Sequence, residues 1–424
     1  MSSPLPQPNA TRALSLSTTA FTVCFAVWTI FSIIGIQIAQ ELGLSEAEFG
    51  LLVGTPVLTG SLVRLVLGIW TDRFGGRLVY TATMVASAVA TLLLSLAQTY
   101  PQMLLAALGV GVAGGSFAVG VAYVSRFYPA QKQGTALGIF GVGNVGAAVT
   151  KFVAPFVLVA LGWQAVAQIW ALVLIVMAAV FWWLSEDDPV TRQRLSTGGK
   201  ARSLREEFAP LKTVRVWRFS LYYFFAFGAF VGLSLWLPRY LIEVYGMDIK
   251  AAGMIAAFYS VPASIFRAYG GHLSDRFGAR VVMYWTLAIS AIATFFLAIP
   301  PMEIELVGID GPIAFGFTLG VVGFVMAIFV LGFFMSLGKA AVYKHIPVYY
   351  PQSVGAVGGL VGMIGGLGGF VLPILFGLLN DLTGVWTSCF MLLFVIVAGA
   401  LAWMHLAIRR IDARQNGGVP APAE

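Results

Sequence analysis

The sequence predicts an all-α polytopic membrane protein whose twelve transmembrane helices form two similar six-helix halves. Three observations carry that expectation. First, 59% of the 424 residues are hydrophobic and 10% are charged, where a soluble domain carries about 25% charged residues; mean hydropathy is +0.89. Second, apolar runs of about 20 residues, the length that crosses ~30 Å of hydrocarbon, recur from one end of the chain to the other. Third, one stretch occurs twice. Residues 60–77, GSLVRLVLGIWTDRFGGR, return as residues 263–280, ASIFRAYGGHLSDRFGAR. Arg64 matches Arg267, Gly68 matches Gly271, and Asp72-Arg73-Phe74-Gly75 matches Asp275-Arg276-Phe277-Gly278, all at an offset of 203 (64 to 267, 72 to 275).

Read in order, the spans fall at residues 18–39, 47–70, 78–97, 101–124, 135–160, 163–184, 216–238, 250–272, 281–300, 312–343, 354–378 and 385–407. The tenth is longer than a bilayer requires and must tilt, kink or protrude. Residues 1–184 form the first half, 185–214 a polar linker, and 215–424 the second half with a short tail. The linker carries Arg192, Arg194, Lys200, Arg202, Arg205 and Lys212, and the tail Arg409, Arg410 and Arg414. Opposite loops hold few basic residues beyond Arg239 and Lys250, so the positive-inside rule places the linker and both termini in the cytoplasm. The net charge of +7 reflects those loops, and no nucleic-acid partner is expected. The polar start runs straight into a full-length span, so no cleavable signal is expected. Cys24 and Cys389 fall inside spans and read as small packing residues.

The repeat extends further. Phe152-Val153-Ala154-Pro155 in the fifth span and Phe370-Val371-Leu372-Pro373 in the eleventh each follow dense glycine, GIFGVGNVG at 138–146 and GGLVGMIGGLGG at 358–369. Small residues let membrane helices approach closely. The paired loops Gly68-Asp72-Arg73-Gly75-Arg77 and Gly271-Asp275-Arg276-Gly278-Arg280 resemble the G-x-x-x-D-R-x-G-x-R motif of the major facilitator superfamily, whose two halves are parallel repeats. The run Gly141-Val142-Gly143-Asn144-Val145-Gly146, with its partner at 358–369, resembles the signatures of the nitrate/nitrite porters within that superfamily. That resemblance implies a substrate site built from Arg64, Arg267, Asn144, Tyr223, Phe227, Phe117 and Gly141. It implies an inner-membrane porter working as a monomer, with nitrate, nitrite and protons as partners and no cofactor.

The residue chemistry suits such a substrate. A cation at membrane depth costs roughly 3 kcal/mol on insertion scales, so two at equivalent places point to a shared task. Guanidinium is planar, always charged and forked, and can hold two oxygens of a flat oxyanion at once. The other reading of Arg64 and Arg267, pairing with buried carboxylates, would need Glu41 or Glu48 to reach inward. Tyr223 and Phe227 share a helix face, and Asn144 donates either to substrate or to a neighbouring helix. Phe117 and Phe227 serve as pocket walls or as plain packing. Asp72, Arg73, Asp275 and Arg276 read as a salt-bridged conformational latch at the cytoplasmic end. Lys151 lies deep in the fifth span and is the first candidate for proton coupling. Lys339 is the second, with the alternative that it snorkels to the interface. His272, His345 and His405 form no metal or catalytic pattern, and the chain is not expected to be an enzyme. Nitrate import by proton symport is the expected function, with exchange for nitrite as the alternative. A nitrate sensor and a porter of another small anion are the remaining readings.

Overall fold

The computed structural model describes residues 9–44, 46–197, 209–247, 249–309 and 311–416; Lys200, Arg202 and Arg205 of the linker lie outside them. Eleven helical runs among the described residues are long and apolar enough to cross a bilayer. They are α1 (Ala10–Gly35), α2 (Leu51–Phe74), α3 (Gly76–Leu94), α4 (Tyr100–Ser125), α5 (Ala130–Leu161), α6 (Trp163–Leu184), α7 (Val214–Leu237), α9 (Ala279–Ala298), α10 (Val321–Tyr349), α11 (Val354–Thr383) and α12 (Ser388–Ala413). The remaining helix, α8 (Ile249–Phe277), is 29 residues long, and it carries Lys250, Arg267, Asp275 and Arg276. At 1.5 Å per residue it is also long enough to span. The protein is a multi-pass helical membrane protein.

One expectation fails. Residues 312–317, placed by the sequence reading in the tenth span, belong to a hairpin of β1 (Met302–Gly308) and β2 (Gly311–Phe317). Met302 pairs with Phe317, Ile304 with Phe315 and Leu306 with Ile313, so one hairpin face is wholly apolar. The signals were the alternation of Glu303 and Glu305 with apolar residues and the glycines at 308 and 311. Gly311 has φ 131°, a conformation that favours glycine. Overall hydropathy masked that alternation. The hairpin also explains a change in the repeat. The offset between equivalent residues grows from 203 at Asp72 and Asp275 to 218 at their basic partners, Arg126 and Lys344, and the hairpin lies between.

The halves meet along two seams, α2 with α11 and α5 with α8. A Cβ on Gly68 would fall on the Gly355 carbonyl, and one on Gly271 would fall on that of Gly134. The glycines are thus the condition for backbone contact across each seam. Beyond these contacts each seam is locked at the linker end. The Asp72 carboxylate accepts from the Gly355 and Ala356 N–H groups at 3.1 and 3.0 Å and pairs with Arg126 at 2.6 Å. Asp275 accepts from Gly134 N–H (3.0 Å), Thr135 N–H (2.6 Å) and Thr135 Oγ1 (2.6 Å), and pairs with Lys344 at 2.5 Å. Each aspartate therefore caps the first turn of a helix in the opposite half, where the helix dipole favours an anion. The sequence neighbours Arg73 and Arg276 do not make these bridges. They lie 5.9 and 5.2 Å from the rings of Phe74 and Phe277, which corrects their place in the expected latch: a side chain adjacent on the helix points around its far side. Asp72→Asn should shift the protein toward a linker-open state, because a charged hydrogen bond contributes about 1.5–3 kcal/mol. Spin-label distances between the linker ends of α2 and α11 should lengthen, while those across α1 and α6 stay fixed.

Candidate functional site

Midway along α2 and α8, Arg64 and Arg267 point into the bundle, with 0% and 1% of their surface exposed. Both guanidiniums contact the Phe117 ring, with central carbons 5.6 and 4.8 Å from its centroid. No carboxylate among the described residues pairs with either. Glu41 accepts instead from Gln37 and from the indole of Trp163. Arg64 spends its donors on backbone: Nε gives to the Gly114 carbonyl at 3.1 Å, and Nη1 to that of Gly362, in the other half, at 2.7 Å. Arg267 differs. Its Nη2 reaches the Tyr223 hydroxyl at 3.5 Å, and its Nε and Nη1 have no hydrogen-bond partner. Buried, unpaired guanidinium donors are costly unless an anion arrives.

The walls are aromatic. Tyr223 stacks on Phe227 at 5.1 Å and on Phe117 at 6.3 Å, and Phe227 lies 5.2 Å from Arg64. A π-helical turn, Phe224–Ala229, interrupts α7 beside these rings; such turns widen a helix locally. Gly141 makes room for the second cation, since a Cβ there would fall on the Arg267 guanidinium. Arg64, Arg267, Tyr223, Phe227, Phe117 and Gly141 thus form one cluster. The sequence reading missed two members. Tyr343 packs edge-on against Phe117 (4.8 Å) and Tyr223 (4.7 Å), with its hydroxyl donating to the Gly358 carbonyl. Trp28 lies 5.6 Å from Arg64 and donates its indole N–H to Pro56 O. The spacing of Tyr343 four residues after Lys339, on one face of α10, was the available signal.

Beside the cluster, on the side away from the linker, lies a cavity of about 800 Å³ between α1, α5, α7 and α8. Trp28, Asn144 and Phe230 stand on its wall, whereas neither arginine lines it. Asn144 sits in a 3₁₀ turn, Val142–Val145, is 4% exposed, and has both amide atoms unpartnered. The two lysines differ in burial from what was expected. Lys151 is exposed along the cavity. Lys339, expected to reach the interface, is fully buried, with Nζ unbonded and 3.4 Å from the centre of the Phe230 ring. Ten residues, about 15 Å of helix, separate it from the end of α10 at Tyr349, which leaves the linker-end surface out of reach. Among the described residues no group of histidine, cysteine or acidic side chains could hold a metal, and both cysteines are buried and free.

The sequence and the fold match known proteins. The family model for the Major Facilitator Superfamily covers residues 16–328 and 252–423. A probable nitrate/nitrite antiporter of Thermus thermophilus is 44% identical over 96% of this chain and 93% of its own. A nitrite extrusion protein of Bacillus subtilis is 28% identical over 92% and 94%, and a probable nitrate transporter of Staphylococcus haemolyticus is 30% identical over 93% and 95%. Among solved structures, the proton:xylose symporter XylE superposes with a TM-score of 0.72 over 93% of this chain and 95% of its own, at 15% identity, and so speaks for the fold alone. Gly141→Ala should displace the Arg267 guanidinium and weaken anion binding by about tenfold, read by anion-dependent thermal stabilisation, with the unliganded melting temperature lowered by only a few degrees. With the fold, the repeated motif and these relatives in agreement, the chain belongs to the nitrate/nitrite porter family of the major facilitator superfamily.

Proposed function

We propose that this chain carries nitrate, and its bent relative nitrite, across the membrane by alternating access between its two halves. One observation carries the reading: the buried Nε and Nη1 donors of Arg267 lie unpartnered beside a second uncompensated guanidinium. A flat oxyanion supplies the missing charge and accepts from a forked donor through two oxygens. The names of the relatives support nitrate and nitrite as the substrates. Arg64 already bonds to Gly362 across the interface, so an anion that draws on this guanidinium also bears on the packing of α2 against α11. Binding is thereby coupled to closure of the halves.

Moving an anion into a negative-inside cell costs ~2.3 kcal/mol per 100 mV. We place proton symport into the cytoplasm first, with the linker and termini inside and the protein acting as a monomer in the cytoplasmic membrane. Lys339 supports that coupling: it is an ionisable group, buried and unbonded, against Phe230. Nitrate/nitrite exchange is the second reading, favoured by the lack of any carboxylate at the site among the described residues. Exchange needs no titrating group and keeps both cations neutralised at each turn.

Proteoliposomes with separately imposed gradients decide between them. Under symport, an inward proton gradient drives nitrate accumulation and Lys339→Gln abolishes that response; under exchange, uptake ignores the pH gradient and requires internal nitrite. Arg64→Lys and Arg267→Lys keep the charge but lose the fork. Each should lower nitrate uptake by at least about tenfold, the equivalent of one charge-assisted hydrogen bond. Uptake that survives both substitutions would remove the oxyanion clasp from the mechanism.

A further inference from the structure

The cavity away from the linker holds one charge among its described lining residues, the ammonium of Lys151. Gly141, Asn144, Ala148 and Lys151 follow one another at spacings of three, four and three residues, so they share a face of α5. The first of these packs on the Arg267 guanidinium, and the other three line the cavity. Ten residues at 1.5 Å per residue set Lys151 about 15 Å outward from the arginine along this face. Between them stands the Asn144 amide, almost fully buried, with its donor and acceptor both unsatisfied. The remaining lining is mostly apolar, with scattered hydroxyls such as Ser32 and Ser264.

We propose that Lys151 is an outer docking point for small inorganic anions, from which an anion passes along this face of α5 to Asn144 and then to Arg267. The proposal rests on the reading of the arginine pair as an oxyanion site. The cavity is far larger than a three-oxygen anion, so it does not grip the ion. It acts through the field of one cation within low-dielectric walls, which concentrates counter-ions and raises their capture rate. The linker end of the molecule is shut by both aspartate caps, and the route therefore serves entry from the opposite side. The exposure of Lys151 suits this role and not that of a sequestered proton carrier.

Two measurements on the full-length reconstituted protein test it. In nitrate uptake, Lys151→Gln should raise KM about tenfold with kcat within about twofold of wild type, the pattern of lost steering. The wild-type advantage should fade as ionic strength rises from about 0.01 M to about 0.15 M, where the screening length drops from roughly 30 Å to 8 Å. Lys151→Arg should restore KM. Independently of substrate, Ser32→Cys should react faster with an anionic than with a neutral thiosulfonate, and Lys151→Gln should erase that preference. A fall in kcat with KM unmoved, or loss of the response to a proton gradient, would overturn the proposal and return Lys151 to the coupling step. So would a thiosulfonate preference that ignores Lys151. If wild-type protein moves no nitrate but the labelling preference depends on Lys151, the docking point stands and the substrate assignment falls.

Discussion

Two positive charges held inside an apolar bundle, without a matching carboxylate among the described residues, set the terms for everything else in this protein. The fold must solvate both guanidiniums by other means. It does so with backbone carbonyls (Gly114 and Gly362), the Tyr223 hydroxyl, and the faces of Phe117, Phe227 and Trp28. Aromatic faces offer each cation a fraction of what water would give. The deficit is unequal. Arg64 has carbonyl partners on both sides of the interface, whereas two of the donors on Arg267 have none.

That inequality departs from the repeat. The sequence places the arginines at equivalent points, and the structure surrounds them with equivalent glycines: Gly359 and Gly362 for Arg64, Gly138 and Gly141 for Arg267. The symmetry stops at the hydrogen bonds. The second half contributes Tyr223, Phe227, Lys339 and Tyr343 to the centre, and the first contributes Trp28, Phe117 and Asn144. A site made from two similar scaffolds thus has one cation hydrogen-bonded through its Nε and Nη1 and one whose Nε and Nη1 are free.

Much of this was legible in the residues. Hydropathy gave the spans, because twenty apolar residues admit few other folds. The repeat gave Arg64 and Arg267, since a cation in an apolar run is visible without coordinates. Gly141 and Asn144 came from resemblance, and only the structure explains the glycine, which abuts the Arg267 guanidinium. What stayed hidden depended on rotation and partner choice. Which lysine is buried was not legible, because exposure turns on which neighbour faces the side chain. The latch expected at Asp72 and Arg73 takes its cation from elsewhere: Asp72 engages Arg126, fifty-four residues away. The hairpin was lost because a window tuned to hydrophobicity does not register alternation. Tyr343 was not assigned to the site, since nothing in the sequence beyond its spacing from Lys339 set it apart from the other aromatics.

The aspartate caps carry a consequence for motion. Each holds two backbone N–H groups that begin a helix of the other half, so parting the halves at that end uncovers two helix starts together. Both would have to be wetted in the same movement, and each presents the positive pole of its peptide dipoles to the newly opened mouth. The rim of that mouth would then be lined by the very amides that had been sealed by carboxylate, so the gate and its affinity for negative charge are one piece of backbone.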